Sequence, residues 1–106
     1  MTQSKINIAQ DFSRYPAGIF KDDGPASGQA FRETFLMPAL ESKTSLIIEL
    51  DGTRGYGSSF LEEAFGGAVR AGYKPEVVKE SFQLISSDNS LIEEINYYID
   101  HARDSH

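Results

Sequence analysis

The chain has 106 residues, no cysteine and a net charge of −6, with ten Lys and Arg against sixteen Asp and Glu. That length suits a single domain over residues 1–106, with flexible ends at about 1–4 and 104–106, and 40% hydrophobic residues with seven Phe and five Tyr predict a packed core. The acidic balance excludes direct nucleic-acid binding, the missing cysteines exclude disulfides, thiolate catalysis and Cys-type zinc sites, and the lack of a signal-like segment or an apolar run of roughly 18 residues predicts a cytoplasmic protein with no membrane partner.

Lys5–Ala9 alternates polar and apolar residues, which predicts a strand near one edge of a sheet. Turn chemistry at Ser13–Gly18 and Lys21–Pro25 brackets Ile19–Phe20, which reads as a short second strand. From Ser27, a natural cap, Ala30, Phe31, Phe35 and Leu36 fall on one helical face, and Pro38 is expected to end or kink that helix near Met37. Ser45–Leu50 is nearly all apolar apart from Glu49, the pattern of a central strand covered on both faces. Phe60, Leu61, Ala64, Phe65, Ala68 and Val69 predict a second helix ending near Gly72. Gly66 and Gly67 inside it each cost roughly 1 kcal/mol relative to alanine, which predicts close packing against the sheet or a neighbouring helix. Ser81–Ile85 reads as a further strand and Ser90–Arg103 as a final amphipathic helix. The expected fold is α/β, with a mixed, partly parallel sheet of about four strands covered by about three helices.

The segment between the central strand and the second helix, Asp51-Gly-Thr-Arg-Gly-Tyr-Gly-Ser-Ser59, is the best candidate site, because ligands and partners of α/β sheets gather where strand ends meet helix starts. Ser59 and Glu62 have the spacing of a capping box, which accounts for one serine and leaves Ser58 at the positive end of the helix dipole. Arg54 suits an acidic partner or a phosphate, and equally a solvated loop position.

Asp51–Gly67, with the run Gly57-Ser-Ser-Phe-Leu-Glu-Glu63 at its centre and Ser27–Glu33 upstream, resembles the STAS-like family of uncharacterised bacterial and phage-associated domains, over roughly Ile6 to Ile95. More remotely it is similar to the STAS domains of anti-sigma factor antagonists, in which a serine pair occupies the same junction. That resemblance implies a regulatory module whose first serine, here Ser58, is phosphorylated by a kinase of the histidine-kinase-like ATPase fold, with release of that partner. Two positions depart from the antagonist pattern: Gly57 stands where an acidic residue is usual, and Phe60 where a glycine follows the pair.

Enzyme readings fit less well. Gly55-Tyr-Gly-Ser-Ser-Phe60 begins like a dinucleotide fingerprint but places Phe60 where a small residue is needed, and no Gly-Lys-Ser or Gly-Lys-Thr exists. The histidines, His101 and His106, both lie at the C-terminal end, far in sequence from either serine. Asp22-Asp23 and Asp88-Asn89 sit beside turn residues, where carboxylates bond their own backbone rather than a metal. The expectation is a non-catalytic interaction module without cofactor or metal, docking through Asp51, Arg54, Tyr56, Gly57, Ser58, Ser59, Glu62 and Glu63. The alternative is a small-molecule or nucleotide-binding enzyme using the same loop.

Overall fold

The computed structural model describes residues 3–102. Of the terminal segments expected to be flexible, Gln3 and Ser4 are described, both in a strand, and the remainder lies outside the described residues. Three strands, β1 (Gln3–Asn7), β2 (Ser45–Glu49) and β3 (Phe82–Ile85), form a wholly parallel sheet in the order β1-β2-β3. Helix α1 (Ile8–Asp11) follows β1 directly, so Ile8 and Ala9, expected in the strand, instead open a helix capped by the Asn7 side chain. Helix α2 runs continuously over residues 28–42, α3 over 58–70, α4 is Pro75–Ser81 and α5 is Asn89–Asp100.

The fourth strand is absent among the described residues, and the sheet is not mixed. Ile19 and Phe20 are held in a loop because both of their amides donate to one Asp23 carboxylate oxygen, at 3.0 and 2.9 Å, which consumes donors a ladder would need. Helix α4 was not anticipated. Its signal was Pro75 at the first helical turn with Glu76 behind it.

The sheet is covered on one face only. Leu46, Ile48 and Phe82 join the helical residues in one core cluster, while Lys5 and Gln83 are exposed and Ile85 is 40% exposed on the other face. Strand order explains the difference from the expected two-sided burial. Two crossovers of the same hand that advance in the same direction place their helices on the same side of the sheet. On the open face Lys5 bridges to Glu49 at 3.2 Å, which gives that discordant residue a partner.

The core is aromatic. Phe31 lies 5.3 Å from Phe12, 6.0 Å from Phe60 and 6.2 Å from Phe65 between ring centroids. Ser27 caps α2 through its side chain, which accepts from the Ala30 amide at 3.1 Å. Helix α2 does not end at Pro38 but runs on to Ser42. A π-helical turn, Arg32–Leu36, lies immediately before the proline, and the Met37 amide reaches back to the Arg32 carbonyl. Among the described residues no helix is long and apolar enough to cross a membrane.

Gly66 and Gly67 are buried, but the close approach there is to side chains rather than to a backbone. A methyl group on Gly67 would lie 2.8 Å from Cζ of Arg32, and one on Gly66 would lie 2.7 Å from Oε2 of Glu62. The backbone contact between α2 and α3 occurs instead at Gly28, where a Cβ would come 2.6 Å from the Phe60 carbonyl oxygen. Gly67→Leu is therefore expected to lower stability by about 1–3 kcal/mol through displacement of the Arg32 guanidinium. Helix propensity alone predicts the opposite sign, so an unchanged or raised denaturation midpoint contradicts this packing.

Candidate functional site

Leu50, buried in the core, directly follows β2, and the loop after it is fixed at several points. The Asp51 carboxylate accepts from the Ser87 amide at 3.1 Å and from the Ser86 and Ser87 hydroxyls at 3.3 and 3.1 Å, tying the loop to the β3–α5 turn. The Tyr56 hydroxyl donates to the Leu50 carbonyl at 2.7 Å, and the Arg54 amide to the Arg14 carbonyl at 2.8 Å. Burial and, behind it, the Asp51 charge push the Tyr56 phenol up to about 12, so it stays a donor at neutral pH. Arg54 is exposed, with its guanidinium 5.9 Å from the Tyr15 ring centroid. Asp51, itself exposed, and the half-buried Tyr56 thus fix the loop, while Arg54 faces solvent.

Helix α3 begins two residues earlier than a Ser59 cap requires. Gly57 is the N-cap, in extended backbone, and makes no side-chain capping bond. Ser58 and Ser59 occupy the first two helical positions and both are exposed. The capping box fails because Glu62 is engaged elsewhere: both its carboxylate oxygens take the Arg70 guanidinium, Oε1 at 3.0 Å from Nη2.

The two acidic residues of the site belong to an alternating charge chain across two helices. Arg32 Nη1 donates to the Glu63 carboxylate at 2.7 Å and also to the Glu63 backbone carbonyl. Arg70 holds Glu62, lies 3.5 Å from Glu63 and donates to the Ala102 carbonyl at 3.2 Å. The Glu62 carboxylate in particular raises the Arg70 pKa. Side-chain exposure is only 14% for Arg32 and Glu63, so these charges need one another. The chain also explains a second π-helical turn, Glu62–Gly66. The Arg32 guanidinium takes the Glu63 carbonyl from the side, and the Gly67 amide reaches back to the Glu62 carbonyl as well as to that of Glu63. Neither arginine was singled out from the sequence. The only trace was the pair of glycines that leaves room for them.

Above this chain lies a groove of about 410 Å³, lined by Ile19, Phe20, Ser58, Ser59, Glu62, Glu63 and Tyr98. The Tyr98 hydroxyl donates to Glu94 Oε2 at 2.7 Å, and that carboxylate, more than burial, raises the Tyr98 phenol to about 12. Asp51 and Tyr56 lie away from the groove, whereas Ser58, Ser59, Glu62 and Glu63 converge on it. Phe20 and Tyr98 were missed as site residues because each arrives from a distant part of the chain. The Asp22-Asp23 and Asp88-Asn89 pairs behave as turn chemistry requires, Asp23 bonding the Ile19 and Phe20 amides and Asp88 capping α5 at Ser90. Among the described residues no group of three or more histidine or carboxylate side chains is placed to hold a metal ion.

Two expectations follow. With Gly57 as the cap, Ser58→Ala and Ser59→Ala should each change stability by less than about 0.5 kcal/mol, whereas Gly57→Asp should raise it by a few tenths; a loss near 1 kcal/mol at Ser59 in denaturation would restore the capping box. The second concerns pH. Backbone bonds from Phe20 and Ile19 lower the Asp23 pKa, so the loop's stabilisation is full above the ordinary aspartate value of about 4 and is lost only as pH falls through the lowered one. Hydrogen-exchange protection of the Ile19 and Phe20 amides should therefore persist at about pH 4 and vanish below it, and loss of protection already near pH 5 would contradict the assignment.

The strand, fixed loop and serine-started helix fall within the stretch that a family model also matches. Residues 27–91, from the α2 cap into α5, match the STAS-like domain of unknown function. No curated protein and no solved structure matches the chain. The match spans more than half of the sequence and includes β2, the loop, both π-turned helices and β3, so the chain belongs to the STAS-like domain family of unknown function.

Proposed function

We propose that this chain is a non-catalytic regulatory module that docks onto a protein partner through the Asp51–Ser59 loop and the exposed side of α3, with Ser58 as a phosphorylatable switch. The partner class that the STAS resemblance suggests is a kinase of the histidine-kinase-like ATPase fold. One observation carries the reading. A loop fixed by Asp51 and Tyr56 ends at two exposed serine side chains, neither of which is spent on capping the helix they begin.

The charge chain suggests how a phosphate would be felt. Ser58 stands one turn before Glu62, and like charges at that spacing repel, although the helix N-terminus itself favours an anion. A phosphate on Ser58 therefore presses Glu62 toward Arg70 and sets a new anion on the wall of the groove, where it repels an acidic partner surface and disturbs the existing contact.

The test uses co-purification from the native host followed by affinity measurement with the recovered protein. Wild type should retain the partner, Arg54→Glu should lose it, and Ser58→Asp should bind about tenfold or more weakly while remaining folded. Equal affinity of wild type and Ser58→Asp removes the switch. A nucleotide that raises the thermal midpoint, worth about 2.7 kcal/mol at a hundred times its dissociation constant, would favour a nucleotide-binding enzyme instead.

A further inference from the structure

Phe20 is 53% exposed, and an unusual amount of structure keeps it so. Its loop is closed by the Asp23 carboxylate on the Ile19 and Phe20 amides, by the Lys21 amide on the Gln29 side chain at 2.9 Å, and by the Gly28 and Gln29 amides on the Gly18 and Ile19 carbonyls at 3.0 Å each. Gly18, at a φ of 93°, is required there, because a Cβ would lie 2.8 Å from that of Asp23. A large apolar side chain held rigidly in water beside a groove has the character of a binding anchor. Tyr98 lines the same groove.

Charge specifies what the groove accepts. Among the described residues no lysine or arginine lines it. Arg32 and Arg70 are already engaged by Glu63 and Glu62. Lys21, next to Phe20, is paired with Glu33. Glu62 and Glu63 line the groove, and Glu94, whose Oε2 takes the Tyr98 hydroxyl, adds a surplus carboxylate beside Tyr98, within a chain of net charge −6. A second copy of this chain would bring the same surplus and be repelled.

We propose that the groove between Phe20 and Tyr98 seats a basic, apolar-bearing peptide segment of a partner protein, its apolar side chain held between the two rings and its cation directed to Glu94. This rests on the docking reading above and extends that surface beyond the Asp51–Ser59 loop. The arrangement places an aromatic anchor at the centre and a charge at the rim, the division of labour that sets affinity and register respectively.

The test is an amide-resolved titration of the full chain with a short blocked peptide alternating leucine and arginine, and with the same peptide carrying glutamate in place of arginine. The arginine peptide should shift Ile19, Phe20, Ser58, Ser59 and Tyr98 saturably and the glutamate peptide should not. Phe20→Ala should weaken binding about fivefold or more, and Glu94→Gln should weaken it and flatten its salt dependence. Phe20 is exposed, so its replacement leaves the core intact, which the amide spectrum of the variant verifies directly. Equal binding of both peptides, shifts mapping elsewhere, self-association, or an unchanged affinity in Phe20→Ala each overturns the proposal. Unchanged partner affinity in Phe20→Ala together with loss in Arg54→Glu would overturn the groove alone and leave the module reading standing.

Discussion

The placement of one guanidinium organises the helical layer. Arg32, on α2, inserts into the side of α3 over Gly67 and takes both the carboxylate and the backbone carbonyl of Glu63. That single insertion accounts for the π-helical turn in α3 and for the need for glycine at position 67. It also accounts for the orientation of Glu63 away from solvent. Arg70 extends the chain through Glu62, over Gly66, to the Ala102 carbonyl beyond α5. Two helices and the segment after α5 are thereby joined by charges that sit at the edge of the core rather than in open water, where breaking a pair costs more than forming it gained.

The same geometry sets the groove above it. With Glu62 and Glu63 turned toward arginines, the first turn of α3 is left with two exposed hydroxyls, and the walls come from Phe20 and Tyr98. The loop preceding α3 is equally constrained. Asp51 spends its carboxylate on the β3–α5 turn and Tyr56 its hydroxyl on Leu50, whereas the exposed side chains of Arg54, Ser58 and Ser59 do not tie the loop down. The site is thus a surface patch whose loop is tied down at both Asp51 and Tyr56.

Periodicity revealed the long elements, because burial of a face is a local property: α2, α3, α5 and β2 are all visible as apolar patterns. What periodicity could not supply was the sidedness of the sheet. Ile47 and Ile48 look alike in sequence, yet Ile48 is fully buried and Ile47 is not, a difference set by crossover direction. Ile19–Phe20 carries strand-like residues, but Asp23 captures its amides, a competition of side chain with ladder that residue type alone does not decide. Pro38 would break an ordinary α-helix, and a π turn before it absorbs the missing donor. In the site, the loop and serine pair were legible as a strand-to-helix junction. The arginine partners of Glu62 and Glu63 were not, since Arg32 lies 31 positions from Glu63 and only the fold brings them together.

A double-mutant cycle on Arg32→Ala and Glu63→Ala, followed by chemical denaturation, addresses the central interaction most directly. If the guanidinium and its acceptors form the joint between α2 and α3, the two substitutions should be non-additive by about 1–3 kcal/mol. Additivity within about 0.5 kcal/mol would mean that the two helices are held by aromatic packing alone and that the charge chain is incidental to it.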